Sequence, residues 1–267
     1  MWGFLDLIKN FFTNKDFLPS ADKIPGTMFT PLHFIVSAIL IALVVFLSIY
    51  VAKKKANSIK KIFTVIWILA VSLEAVKIAW ETLTSRGGTF EAGGVLPLYP
   101  CSIFMYALPL IIFGKGYIKE AGCGYICTLG IVGGTINFVY PATILGNYSI
   151  ISFSGFHTMF YHGAIVFCAL TLIISRFHTF NWVKKWWELF IPAVPFFAVS
   201  IIANIVNFSS INSDYMFFKL NSFIFAPIGE ATPDFVAVII VYIAYIIIHA
   251  VPYLPGFIKN LKANKNS

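Results

Sequence analysis

The stretch PLHFIVSAILIALVVFLSIYVA, residues 31–52, runs straight into Lys53-Lys54-Lys55 and decides the fold. It holds no formally charged side chain. An α-helix rises 1.5 Å per residue, so about 20 apolar residues cross the ~30 Å hydrocarbon core of a bilayer. The run is too long for the apolar core of a secretory signal, and its basic cluster follows it rather than precedes it. It reads as a first spanning helix with the N-terminus outside.

Six further apolar runs follow, at about 62–83, 97–114, 121–140, 156–175, 187–209 and 234–254. The expected fold is all-α: a polytopic bundle of about seven transmembrane helices, forming one domain over 31–254. Composition agrees, with 59% hydrophobic residues, 11% charged and a mean hydropathy of +0.85. Soluble domains carry roughly a quarter charged residues. The net charge of +8 does not indicate nucleic acid, because the lysines stand at the ends of apolar runs. Cys101, Cys123, Cys127 and Cys168 all fall inside apolar segments, so no disulfide framework is implied.

The basic residues also set the orientation. With the N-terminus outside, 13 of the 19 Lys and Arg lie on the inner side, 5 on the outer side, and Lys77 within a span. Trp182, Trp186 and Trp187 beside Lys184-Lys185 form an expected inner interfacial belt. The chain is expected to end inside, with 255–267 as a basic cytoplasmic tail, in a bacterial plasma membrane. Residues 1–20 form an amphipathic interfacial segment: Trp2, Leu5, Ile8 and Phe12 recur at three- and four-residue steps among polar residues. Such a helix either lies on the outer interface or caps the bundle. In the fourth run, Gly130 and Gly134 make a G-x-x-x-G pair, read as close helix packing.

Polar groups in a bilayer are costly, so each one inside a span is a candidate site. Glu74, Lys77 and Glu81 lie three and four residues apart, on one face of the second helix. Either carboxylate can pair with the lysine, giving a packing stripe or a polar-ligand site. The third helix opens Leu96-Pro97-Leu98-Tyr99-Pro100-Cys101-Ser102, which puts Cys101 about four residues below the outer end. A lone buried cysteine is ordinarily a small hydrophobe. His157 and His162 on the fifth helix are five residues apart, so they point roughly 140° away from each other and do not share one metal ion. Either serves singly as a proton acceptor. Asn137, Asn204 and Asn207 complete a polar layer in the outer third, with Glu74 nearer mid-membrane. The inner half offers only Cys123, Cys127, Cys168 and His249 within its spans. No metal or cofactor is expected, and the common hydrolase, zinc-protease, nucleotide-binding and Ca²⁺-loop motifs do not occur.

From helix two onward the chain resembles the YwaF-like family of bacterial integral membrane proteins. The resemblance rests on Glu74, on Leu-Pro-Leu-x-x-Cys at 96–101 and on His162-Gly163. It rests also on Asn204-Ile205-Val206-Asn207, Asp214-Tyr215-Met216, Pro227, Gly229 and Pro233. Members often have His where this chain has Tyr99. The family is distantly similar to a vertebrate multispanning protein considered a cysteine-dependent phospholipid acyltransferase. That similarity implies Cys101 as nucleophile, with His162 as its base and His157 second.

Two function classes follow. One is an enzyme acting on membrane lipid through Cys101. The other is a small-solute carrier or membrane-embedded binding protein whose polar pocket uses Glu74, Lys77, Glu81, Tyr99, His162 and the three asparagines. A carrier is expected to show internal repeats and polar groups along the whole path. No repeat is visible and the inner half is poor in polar groups, so the enzyme is favoured. Oligomeric state is not written in the sequence.

Overall fold

The computed structural model describes residues 3–88, 90, 92–220 and 231–265, and every regular element among them is helical. Six helices are long and apolar enough to cross a membrane, and a shorter apolar one, Pro100–Phe113, makes the seventh. In chain order they are α1 (Pro31–Ala52), α2 (Ala56–Thr84), α3 (Pro100–Phe113), α4 (Gly116–Leu145), α5 (Phe153–Ile174), α6 (Trp186–Asn207) and α7 (Asp234–Ala250). α5 is the central helix, with most of its residues buried, and α1, α2 and α4 pack around it. α1, α2 and α7 leave large apolar side chains such as Ile39, Phe46, Ile68 and Ile243 exposed. Apolar surface on that scale is untenable in water and belongs against lipid.

Helix starts explain where the boundaries differ from the expected ones. Thr30 accepts the His33 amide and Ser152 accepts the Gly155 amide, so α1 starts at Pro31 and α5 three residues earlier than expected. α2 begins at Ala56 rather than about 62, because its polar first turns are helical although not apolar. The correction that bears on the site concerns α3, which starts at Pro100 instead of Pro97. A residue before proline is pushed out of the helical region, and Tyr99 is extended at φ −79°, ψ 158°. Cys101 therefore occupies the first turn of α3 rather than a position four residues into the span.

Pro109 lies inside α3, where it removes one N–H and frees the carbonyl four residues back, that of Met105. Trp67 on α2 donates its indole N–H to that carbonyl at 2.9 Å. In α4, residues Ile126–Gly130 are wound as a π-helical turn. The glycine pair packs on α5: a Cβ on Gly134 would meet Val166 at 2.8 Å and the His162 carbonyl at 3.2 Å.

The N-terminal residues cap one end of the bundle. Trp80 donates to the Phe12 carbonyl at 2.8 Å, and the Phe153 amide donates to the Phe11 carbonyl at 2.8 Å. Arg86 holds Asp16 through its backbone and guanidinium N–H groups at 3.0 and 2.9 Å. Of the two expected roles for this segment, capping is the one with contacts. The opposite end carries Lys53–Lys55, Lys60, Lys115, Lys119, Lys184 and Lys185 and is called the basic end below.

Candidate functional site

Glu74 is the hub of the polar cluster near the capped end. It is buried; its Oε1 accepts from Lys77 Nζ at 3.2 Å, and its Oε2 lies 3.1 Å from His157 Nε2 on α5, an ion-pair distance without hydrogen-bond geometry. The second contact joins α2 to α5 across the core and was not legible from the sequence, where Glu74 had only the lysine as a partner. A charge buried in a bilayer is tolerable when paired, and Glu74 is paired twice.

Cys101 sits beside this cluster. No hydrogen bond or ion pair joins its thiol to Glu74, Lys77 or His157 among the described residues, so its relation to them is one of proximity. Of the four free cysteines it alone keeps part of its surface accessible, while Cys123, Cys127 and Cys168 are buried. Two contacts position it. Tyr125 on α4 donates to the Pro100 carbonyl at 2.6 Å, fixing the residue just before the thiol. Tyr99 packs its ring on Tyr215 and Phe217, with centroids 4.9 and 5.9 Å apart. The Leu96 amide donates to the Tyr215 hydroxyl at 2.9 Å, tying the 96–99 segment to the same loop.

The remaining candidates divide. Glu81 is half-buried two turns beyond Glu74 along α2, and its Oε2 has no hydrogen-bond partner among the described residues. His162 keeps its Nδ1 on the Thr158 carbonyl at 2.8 Å, and no hydrogen bond or ion pair joins it to Cys101 among the described residues. Asn207 is committed to structure: its Oδ1 accepts the Tyr215 amide at 2.7 Å and its Nδ2 donates to the Tyr215 carbonyl at 2.8 Å. That clamp holds the loop on which Tyr99 packs. Asn204 donates to the Tyr242 hydroxyl at 3.0 Å, between α6 and α7. Its Oδ1, like that of Asn137, is buried without a partner among the described residues. Within the polar layer Glu74, Lys77 and His157 are in contact, while Asn204, Asn207 and His162 make their hydrogen bonds to other groups.

Sequence reasoning missed Tyr161. It stands one turn beyond His157 on α5, stacks on that imidazole at 5.4 Å, and its buried hydroxyl has no partner among the described residues. The i, i+4 spacing to His157 was the available signal. The account of the inner half was also too sparse. At the basic end His178 Nδ1 lies 2.9 Å from Glu120 Oε2, and its Nε2 lies 2.8 Å from the Tyr253 hydroxyl. Glu120 lies inside α4, which starts at Gly116 rather than about 121. His249 adds a bond of 2.6 Å to Thr128. Among the described residues no three His, Cys, Asp or Glu side chains converge as metal ligands.

No curated protein and no solved structure matches the chain. A family model, that of the TMEM164 family, matches residues 28–260, which takes in all seven helices and the whole polar cluster. With six helices long and apolar enough to cross a membrane and that match over most of its length, this is a multi-pass integral membrane protein, and it belongs to the TMEM164 family.

Proposed function

We propose that this protein is a membrane enzyme that transfers an acyl group between lipids, with Cys101 as nucleophile and His157, oriented by Glu74, as base. The observation that carries the reading is the Glu74–His157 contact beside the one cysteine with accessible surface. A cysteine–histidine–carboxylate set is the standard means of making a thiol attack a carbonyl. The start of α3 adds its positive dipole end at the thiol, and the distant similarity of YwaF-like proteins to a cysteine-dependent phospholipid acyltransferase points the same way. The imidazole nitrogen away from Glu74 takes the thiol proton, and the sulfur attacks the ester carbonyl of a donor phospholipid. The ester C–O bond breaks, the leaving alkoxide takes the proton back, and the acyl group remains as a thioester. An acceptor lipid's hydroxyl or amine then gives its proton to His157, attacks the thioester and releases the thiolate, which recovers the proton.

The same reading puts the N-terminus and the cluster on the outer side of a bacterial plasma membrane, as the distribution of basic residues favours. Glu81, Tyr99 and Lys77 then hold the polar part of the lipid. The test is comparative lipidomics of a deletion strain complemented with wild type, Cys101→Ala or His157→Ala. The expected result is one altered set of acyl-chain distributions, restored by wild type and by neither variant. Restoration by Cys101→Ala contradicts the enzyme and leaves the polar pocket as a binding or carrier site.

A further inference from the structure

α1 and α2 follow one another through only residues 53–55, yet each leans on α5 and they splay apart. Between them runs a groove of about 550 Å³, open at the side and floored by α5. Its walls come from α1 between Val36 and Val51 and from Ile62 and Ile66 of α2, and every lining residue is apolar. The floor dips at Gly163 and Ala164, between Phe160 and Phe167. A Cβ on Gly163 would stand 3.6 Å from Val44, so a larger side chain there fills the dip.

We infer that this groove is a lipid-binding site that holds one extended acyl chain of a phospholipid, with Lys77 at its head. Three features fix the occupant. The groove lies within the spans, so hydrocarbon fills it. From Val36 to Val51 is fifteen residues, about 22 Å along the helix. One leaflet contributes only about 15 Å of hydrocarbon, so the shape suits a single long chain rather than a compact ring system. Lys77 lies eleven residues from Ile66, about 16 Å further along α2 and only about 20° round it, so it stands beyond the groove on the same stripe of α2 as Ile66. Its ammonium has three donors, and one goes to Glu74. The others are available to a phosphate or ester oxygen.

The groove also leads to the cluster. Phe156 lines it, and the next residue, His157, contacts Glu74. The role as a substrate groove rests on the acyl-transfer reading; the occupancy does not.

The test reconstitutes the full chain in bilayers containing a phospholipid with a photoactivatable diazirine near its acyl terminus, then maps the adducts by peptide mass spectrometry. Both wild type and Cys101→Ala are used, so that an inactive enzyme does not affect the readout. Adducts are expected to concentrate on groove residues such as Leu40, Met159 and Phe160, several-fold over the outward residues Ile39, Ile68 and Ile239. Gly163→Leu is expected to lower groove adducts while the outward ones persist, and Lys77→Met to lower them for the phospholipid but not for a headgroup-free diazirine hydrocarbon. If Gly163→Leu fails to fold, the wild-type map decides alone. Adducts spread in proportion to exposure, or chain-to-chain crosslinks through the groove, overturn the proposal. Localised adducts together with a failed lipidomic test leave a lipid site without acyl chemistry.

Discussion

The bundle carries a histidine–carboxylate pair at each end, and the two are built to different standards. At the basic end His178 is fully engaged, with Glu120 on one nitrogen and the Tyr253 hydroxyl on the other. The cysteines near it are buried. Near the capped end His157 meets Glu74 through one nitrogen, Glu81 and Tyr161 each keep a buried oxygen without a partner among the described residues, and Cys101 has accessible surface. Buried polar groups are normally satisfied, and each exception calls for a reason. Loose ends exist at the basic end as well, at His249 Nε2 and Trp182 Nε1. What that end lacks, among the described residues, is a cysteine with accessible surface. The Glu120–His178–Tyr253 chain ties the loop after α5 to the end of α7, and on the proposed reading the Glu74 cluster is the one that carries chemistry.

Breaking the hub gives the largest effect. Glu74→Gln leaves Lys77 unpaired and weakens the hold on His157. Removing one member of a buried pair costs about 3–5 kcal/mol, which appears as lost folded yield and a lower Tm in detergent. Adding Lys77→Met is expected to recover part of that loss and not all, because His157 has still lost its partner. A double variant as poor as the sum of the singles would show that the pair carries no coupling.

At the opposite end His178→Phe keeps the aromatic shape and strips Glu120 and Tyr253 of a partner. The expected cost is about 1–3 kcal/mol for each group left buried and unpaired. Cys101 reactivity should stay at the wild-type level. A fall in that reactivity would mean that the two ends are coupled and the division of roles is wrong. Smaller still is Trp67→Phe, which orphans only the Met105 carbonyl freed by Pro109. About 1–3 kcal/mol is again the ceiling, from one group, and a shift of α3 that slows Cys101 labelling would show that this proline repair also aims the thiol.

Much of the fold was legible because apolar length is a one-dimensional signal. The seven runs read from hydropathy coincide with the seven helices, and the errors fall where local chemistry overrides apolarity. Examples are the Pro97–Pro100 entry to α3 and the polar first turns of α2. The site was legible only in part. Glu74 and Lys77 share a helix, so spacing announced their pairing. His157 reaches Glu74 from another helix, and depth counting gives height without giving the angle at which a side chain points. The same limit applies to His162, whose Nδ1 bonds its own helix at the Thr158 carbonyl. Both amide atoms of Asn207 serve a loop whose path no periodicity reveals.

The central claim, that the Glu74–His157 pair activates Cys101, is tested most directly by alkylation kinetics on the purified full-length protein. The rate at each cysteine is measured in wild type, His157→Ala and His162→Ala. The account predicts that Cys101 reacts far ahead of Cys123, Cys127 and Cys168. It predicts a drop of roughly tenfold or more in His157→Ala, because loss of the base lowers the thiolate fraction, and little change in His162→Ala. Equal, slow labelling of all four cysteines, indifferent to either histidine, would contradict it and return Cys101 to a packing role.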